Sequence, residues 1–300
     1  MLVVTYTLNG LLMIALPVAI ALWLTRHYAL PWRWFWLGGA TFLASQIVHI
    51  PLNALIGQGF AAGWLPYPPE AWRLVVFSGI GGLTAGLCEE VARYVTLRWW
   101  ARDVRSWRGA IFLGVGHGGT EAIILGILVL VNLIAMLAYR GVDLSTLLPA
   151  EQLVLAQEQI AAYWSAPWPL TVLGAVERAL TLPVQVGFSV LVAQAFLRQG
   201  SRSRGLGWLV LAILWHAAID AVVGYLGSRL LPRGLEGALI VEGVLALVTA
   251  ASLGLIYGLR TSDGGQPPPN PDHDVTVQPV AIPAILLETP ENLERTRYDH

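Results

Sequence analysis

The chain has 300 residues, of which 56% are hydrophobic and only 12% charged, and its formal net charge is −1. A soluble domain carries about 25% charged residues, so this composition excludes an ordinary soluble domain and indicates a multi-pass membrane protein. The near-zero net charge argues against a nucleic-acid partner, which would require a basic surface. The single cysteine, Cys88, excludes an intrachain disulfide framework.

Seven apolar stretches have the length of about 20 residues that a helix needs to cross a bilayer. They lie at about 3–24, 34–56, 74–97, 109–139, 169–197, 206–231 and 237–259. No basic segment precedes the first stretch, so we predict a first transmembrane helix and not a cleaved signal peptide. The pattern predicts an all-α fold with about seven transmembrane helices, forming one domain over residues 1–259.

Two segments outside the spans have a distinct composition. The connection 140–168 is acidic and has the pattern of an amphipathic helix at Ala150–Trp164. The segment 260–300 is polar and rich in proline and glycine, which predicts a disordered tail.

The arginines predict how the chain is oriented in the membrane. All basic residues are arginine. The loops and span ends on one side of the membrane contain four arginines: Arg73, Arg140, Arg229 and Arg233. The other side has twelve: Arg26, Arg33, Arg98, Arg102, Arg105, Arg108, Arg198, Arg202, Arg204, Arg260, Arg295 and Arg297. Because the cytoplasmic side carries the excess of basic residues, we expect the N-terminus outside and the C-terminus in the cytoplasm.

Ionisable and amide side chains interrupt four of the apolar spans, where such groups are costly and mark functional sites by default. Span three has Glu89, Glu90 and Arg93, and span four has His117 and Glu121. Span five has Glu177, Arg178 and Gln185, and span six has His216 and Asp220.

The predicted orientation places several of these groups at one depth. Glu89, His117 and His216 each lie 8–10 residues from the cytoplasmic end of their spans, or about 12–15 Å at 1.5 Å per residue. Glu121, Gln185 and Asp220 lie slightly deeper. The pairs His117/Glu121, His216/Asp220 and Glu89/Arg93 are each four residues apart and therefore share a helix face. We expect these faces to surround one polar cavity.

Two chemistries suit such a cavity. Two histidines and a carboxylate with an open fourth position form a catalytic zinc site, with a further glutamate as general base. Without metal, one of two adjacent buried carboxylates can still hold and release a proton near neutral pH, because both resist ionising together. Arg93 would then keep the other carboxylate ionised. Both alternatives describe hydrolysis of a peptide bond inside the membrane.

Structural roles are the alternative for every one of these residues. Glu89, Glu90 and Arg93 could form an ion-pair cluster, and the two histidines could only hydrogen-bond between helices. We favour an ion pair for Glu177 and Arg178, with Arg178 also able to neutralise Asp220 or Glu121. His49 and Asn53, four residues apart in span two, have no acid beside them and indicate a structural pair. Glu121 is either a ligand or a partner of one.

The segments "EEVAR", "GHGGTEA", "ERALTLPVQVGFSVLV" and "HAAID", in this order over spans three to six, resemble the YhfC-type intramembrane metalloprotease family. That family is distantly similar to the CAAX-prenyl endopeptidase (Abi) group, the PrsW peptidases and the Aph subunit of gamma-secretase. Two features depart from the CAAX-type pattern. Two residues, not three, separate the glutamates from Arg93, and Asp220 stands where those relatives have asparagine.

The resemblance implies roles for individual residues. Glu89 or Glu90 would be the general base and Arg93 its catalytic neighbour. His117 and His216 would bind a divalent metal such as zinc or position water, and Asp220 would take the place of the asparagine. From the residues themselves, not from the resemblance, we predict Glu121 and Asp220 as further metal ligands and Glu177, Arg178 and Gln185 as supporting residues. Since an ionised aspartate cannot donate to an oxyanion, Asp220 would have to be protonated or bind the metal.

The sequence therefore predicts an intramembrane endopeptidase of the cell membrane, acting on a membrane-embedded or lipidated peptide near the inner leaflet. Two alternatives stay open at this point. One is a proton- or ion-coupled transporter, although no repeated halves are visible in the chain. The other is a non-catalytic scaffold that keeps the polar cavity.

Overall fold

The structure, a computed structural model, describes residues 1–146, 148–198 and 202–260, which form helices and turns without any strand. The helices are α1 (Leu2–Tyr28), α2 (Trp32–Ala61), α3 (Glu70–Trp99), α4 (Trp107–Ala138), α5 (Ala150–Ser165), α6 (Leu173–Leu197), α7 (Arg202–Leu230) and α8 (Leu235–Gly258). Single 3₁₀ turns lie at Leu144–Thr146, Leu170–Val172 and Leu231–Arg233. All helices except α5 are long and apolar enough to span a membrane, so the prediction of an all-α, seven-span protein is confirmed.

Local chemistry fixes where several helices begin. Pro31 and Pro69 precede α2 and α3, and a proline suits this place because it lacks the N–H that a helix start leaves unpaired. The side chain of Ser106 caps α4 by accepting a hydrogen bond from the amide of Gly109 at 3.0 Å. Helix α3 ends at Trp99 and α4 begins at Trp107, so a short loop that contains Arg102 and Arg105 joins them.

Glycines bring the helices of the bundle into close contact. A Cβ atom on Gly86 of α3 would lie 2.6 Å from the carbonyl oxygen of Ile213 on α7. A Cβ on Gly118 of α4 would lie 2.7 Å from the Cβ of Gln185 on α6. Only glycine permits approaches of this kind, which are common between transmembrane helices.

Helix α6 is the centre of the bundle. Buried residues make up 67% of its most apolar stretch, against 17–33% in the other six spans. Helices α3, α4, α7 and α8 surround it, and α1 packs beside α4 and α6. Polar groups that point at α6 from its neighbours are therefore shielded from lipid.

The segments outside the spans agree in part with expectation. The helix predicted at Ala150–Trp164 is present as α5, and the ring of Tyr163 stacks on that of Tyr6 with centroids 4.2 Å apart. The predicted domain boundary at residue 259 falls at the end of α8. The predicted disordered tail lies, beyond residue 260, outside the described residues, and the predicted orientation stays a prediction.

Candidate active site

The glutamate pair of α3 faces the interior because α3 packs tightly on α7. Gly86, one turn before Glu90, is the contact that permits this packing. Glu89, Glu90 and Arg93 are all buried, and the latter two are fully so. Burial of charged groups is costly unless each finds a partner, so the partners define the site.

Glu89 pairs with the histidine of α4. Its Oε2 atom lies 3.0 Å from Nε2 of His117, and its Oε1 atom accepts a hydrogen bond from Nε2 of Gln46 at 3.3 Å. The guanidinium of Arg93 lies 3.7 Å from the same carboxylate. The Nδ1 atom of His117 is buried without a hydrogen-bond partner.

Glu90 pairs with the histidine of α7. Its Oε1 atom lies 2.7 Å from Nδ1 of His216 and also accepts a hydrogen bond from Arg93. The ring of His216 stacks on Phe188 of α6, with centroids 4.2 Å apart. Its Nε2 atom faces Oδ2 of Asp220 at 3.3 Å. Each glutamate of the pair thus hydrogen-bonds a histidine from a different helix.

A second cluster lies deeper and is joined to the first by Gln185. The side-chain oxygen of Gln185 accepts from Arg93, and its Nε2 atom donates to Oε2 of Glu121 at 3.1 Å. Oε1 of Glu121 accepts from Arg178 at 2.7 Å, and Arg178 also pairs with Glu177. A continuous series of hydrogen bonds therefore runs from Arg93, in the glutamate cluster of α3, through Gln185, Glu121 and Arg178 to Glu177.

The structure thus brings most of the predicted residues together, but in two groups. Glu121 bonds Arg178 and Gln185, whereas His117 of the same helix bonds Glu89. Asp220 lies beside His216 at the edge of the glutamate cluster, and its side chain is 42% exposed. Glu177 pairs with Arg178, as the sequence favours.

Some participants were missed from the sequence. Gln46 of α2 is a neutral amide inside an apolar span, and this was the only signal that could have identified it. Phe188 and Phe42 position the two histidines through ring contacts, Phe42 lying 5.4 Å from His117 between centroids. Aromatic residues are common in membrane spans, so the sequence carries no signal for these two contacts.

The polar pair of α2 has a local role. Nε2 of His49 lies 2.9 Å from the amide nitrogen of Asn53, and Thr84 of α3 donates to Oδ1 of Asn53 at 2.8 Å. These contacts link α2 to α3 outside the glutamate cluster. Cys88 is buried and free, with no disulfide among the described residues.

The donor atoms suit zinc by type but not by arrangement. Two histidines and several carboxylates are present, yet the guanidinium of Arg93 lies within 4 Å of both Glu89 and Glu90, where it already supplies the compensating positive charge. Over the described ranges, no group of three or more His, Cys, Asp or Glu side chains is disposed to hold a metal ion. The residues as placed do not fit a bound metal.

The charges of the glutamate cluster, which comprises Glu89, Glu90 and Arg93, do not balance without a proton. Glu89 and Glu90 would together carry two negative charges, and Arg93 supplies one positive charge. A buried, uncompensated charge is costly, so the remaining negative charge is best met by a proton shared with His117 or His216. The cluster is therefore equipped to accept and release a proton.

These features define a class: a multi-pass helical membrane protein that encloses a cluster of carboxylates, histidines and arginine among its central helices. A family model described as YhfC intramembrane metalloprotease matches residues 12–245, and the chain belongs to that family. It is 30% identical over 259 residues to a protein of Bacillus subtilis (strain 168) named uncharacterized membrane protein YhfC. The alignment covers 84% of this chain and 93% of that protein.

No solved structure matches the chain. The family resemblance predicted from the four sequence segments is confirmed, whereas the more distant similarities to the CAAX, PrsW and Aph groups stay predictions. The seven apolar helices, together with the Bacillus membrane protein, place the chain in the cell membrane as a multi-pass protein.

Proposed function

We propose that this protein is an intramembrane endopeptidase that hydrolyses a peptide bond of a membrane-embedded or lipidated substrate. One observation carries the proposal: two adjacent carboxylates of α3 hydrogen-bond two histidines from two other helices, inside the bundle. A purely structural ion pair would need only one carboxylate to neutralise Arg93, whereas two carboxylates lie beside it. The family description as an intramembrane metalloprotease supports hydrolysis of peptides.

Glu89 is the better candidate for the general base. Glu90 is fully buried and held by both Arg93 and His216, so its freedom to meet a water molecule is small. Glu89 keeps 6% of its surface exposed, and its contact with Arg93 is the longer one. His117 orients Glu89 through the hydrogen bond to Oε2, which leaves Oε1, shared only with Gln46, toward an incoming water.

The reaction then proceeds in two balanced steps. Glu89 takes a proton from water while the water oxygen bonds to the carbonyl carbon of the peptide. The carbonyl oxygen becomes an oxyanion, which the positive charge of Arg93, 3.7 Å from the Glu89 carboxylate, stabilises through space. The carbon–nitrogen bond then breaks, and Glu89 returns the proton to the leaving nitrogen. No step requires a metal, in keeping with the arrangement of the donors.

New protein termini inside membrane spans would test this proposal. The full-length protein is expressed in bacterial cells, and peptide N-termini of the membrane fraction are compared by mass spectrometry with those of Glu89→Gln. We expect a set of intramembrane termini with the wild type that falls at least about 100-fold in Glu89→Gln, the lower range for loss of a general base. Glu70→Gln, which changes an exposed glutamate of the same helix, is the control.

Identical termini in wild type and Glu89→Gln would contradict the role of Glu89. If no variant and not even the wild type produced new termini, while all folded normally, the peptidase would be wrong and the scaffold alternative would replace it. A loss of termini in Glu70→Gln as well would show that the effect is one of folding and would remove the support for catalysis.

A further inference from the structure

A deep groove on the bundle, separate from the glutamate cluster, has an almost entirely apolar lining. It lies between α1, α4, α6 and α8 and has a volume of about 380 Å³. Along α1 it extends from Tyr28 to Leu16, which at 1.5 Å per residue is about 18 Å. This length is close to the thickness of one leaflet, about half of the 30 Å hydrocarbon core.

The shape of this groove fits a single hydrocarbon chain. Its volume of about 380 Å³ over a length of about 18 Å makes it a narrow channel, and an acyl chain, whose carbon atoms approach their neighbours to about 3.5–4.0 Å, fits such a channel. A helix with its side chains is about 10–12 Å wide and would not enter. An extended peptide would also be disfavoured, because Ile111, Leu182 and Leu253 offer nothing to its backbone groups, which would stay unpaired in a dry site.

Two arginines and two aromatic residues lie at the mouth of the groove. Arg108 lines it, with its guanidinium 4.6 Å from the ring centroid of Tyr28. Arg260 lies beside it, its guanidinium 5.5 Å from the ring of Trp107, which also lines the groove. This is the end of the bundle that carries the arginine-containing α3–α4 loop. Basic pockets between transmembrane helices suit the headgroups of anionic lipids.

We propose that this groove binds one anionic phospholipid, with an acyl chain between α1, α4, α6 and α8 and the phosphate at Arg108. The lipid would fill a gap in the lipid-facing surface and tie α1 and α8 to the central helix α6. The proposal is independent of the peptidase activity, because the groove and the glutamate cluster lie on different faces of α4. His117 faces the cluster, whereas Ile111 and Val115 face the groove.

Lipid binding by the delipidated, detergent-purified full-length protein would test this. Native mass spectrometry gives the apparent Kd for phosphatidylglycerol and for phosphatidylcholine with identical acyl chains. We expect phosphatidylglycerol to bind at least about fivefold more tightly, the preference expected for one arginine near an anionic headgroup. Arg108→Gln should remove most of this preference, while Arg102→Gln, in the same loop region but outside the groove, should keep it.

A matched pair on α8 tests the acyl-chain site. Leu253 lines the groove and Leu247 does not, although both side chains are exposed on the same helix. We expect Leu253→Trp to weaken both lipids at least about fivefold and Leu247→Trp to leave both unchanged, since the added ring fills the channel. If Leu253→Trp fails to fold, Ile111→Phe on α4 serves the same purpose. Equal binding of the two lipids by wild type, or equal effects of the paired variants, would overturn the proposal.

Discussion

Gln185 joins two clusters of charged residues that the sequence places on separate helices. Its side-chain oxygen faces Arg93, which can only donate hydrogen bonds, and its nitrogen faces Glu121, which accepts them when ionised. The amide orientation is therefore determined by its neighbours. Glu121 in turn pairs with Arg178. The position of Arg93 therefore depends, through Gln185, on the ion pair between Glu121 and Arg178.

The first prediction concerns Gln185→Leu. This change removes one buried hydrogen bond from Arg93 and one from Glu121, while Arg93 keeps Glu90 and Glu121 keeps Arg178. Loss of these two bonds should cost about 1–3 kcal/mol of stability, the range for buried groups left partly unsatisfied. It should also loosen α3 around Cys88, the only cysteine of the chain. We expect a lower thermal denaturation midpoint in detergent, and faster modification of Cys88 by a small thiol reagent.

The control for this prediction is Gln194→Leu. Gln194 is also buried on α6, but it bonds Val190 and Arg198 far from the glutamate cluster. It should lower the denaturation midpoint without changing the rate at which Cys88 reacts. Equal rates of Cys88 modification in the two variants would show that Gln185 has no special link to α3.

The second prediction concerns zinc. Because Arg93 supplies the positive charge between Glu89 and Glu90, a divalent cation at the same place would add like charge to a dry site. We expect purified protein to contain less than one zinc per chain, with the same content in His117→Ala. Elemental analysis by mass spectrometry measures this, with His49→Ala as a control histidine. Stoichiometric zinc that disappears only in His117→Ala would show that the histidine binds metal after a rearrangement of Arg93.

At the residue scale, the sequence predicts which side chains are polar and buried, but not which of them pair with one another. Helical spacing correctly puts Glu89 and His117 at one depth, because depth depends only on distance from a helix end. The same spacing suggests His117 and Glu121 as neighbours, whereas Glu121 pairs with Arg178. Lateral pairing depends on which helix packs on which side, and a single sequence does not contain that information.

At the scale of the elements, the short loop between α3 and α4 is attached to the start of α2 by Asp103. Its Oδ2 atom accepts hydrogen bonds from Arg33 and from the indole of Trp34, both at 2.7 Å. Partial burial alone would raise the pKa of Asp103, but these hydrogen bonds and the charge of Arg33 outweigh it and lower the pKa. The loop thereby holds α2 and α3 together at the membrane surface.

The third prediction follows from that lowered pKa. Because the folded state favours ionised Asp103, its contribution to stability is complete above the unfolded pKa of about 3.9 and is lost as the pH falls below that value. We expect Asp103→Asn to lower the thermal denaturation midpoint slightly at pH 7. The effect should be small, since the side chains of the pair are about half exposed.

The difference between Asp103→Asn and wild type should shrink as the pH is lowered from 5 toward 3, while Glu151→Gln on α5 serves as a control carboxylate. A difference that stays constant over this range would mean that the hydrogen bonds to Asp103 do not depend on its charge. It would also remove the assigned link between this loop and α2.

The extent of each element was more predictable than the packing between elements. Seven apolar runs predict seven spans because the bilayer sets a minimum length, and α5 follows from its amphipathic pattern. Helices α1, α2 and α3 extend a few residues beyond the apolar runs at both ends, as for α1, which ends at Tyr28 and not at residue 24. Helix α6, in contrast, begins at Leu173 and not at residue 169, because a 3₁₀ turn at Leu170–Val172 precedes it. Helices continue into the interface because their backbone hydrogen bonds do not require apolar side chains.

At the scale of the whole molecule, the charge asymmetry connects the candidate site, the lipid groove and the membrane. The glutamate cluster lies about 12–15 Å from the end of the bundle that carries the α3–α4 loop, and the mouth of the groove opens at the same end. If that end is cytoplasmic, a substrate would be cut in the inner half of the bilayer, and the lipid would come from the anionic inner leaflet.

The fourth prediction is therefore the orientation itself. In a Cys88→Ser background, Arg102→Cys places a thiol in the α3–α4 loop and Glu151→Cys places one on α5, which follows α4 at its other end. The positive-inside rule predicts that a membrane-impermeant maleimide labels Glu151→Cys in intact cells and labels Arg102→Cys only after permeabilisation. The reverse pattern would move both the site of cleavage and the source of the lipid to the outer leaflet. Twelve arginines against four make that reversal costly, because each would have to cross the membrane during insertion.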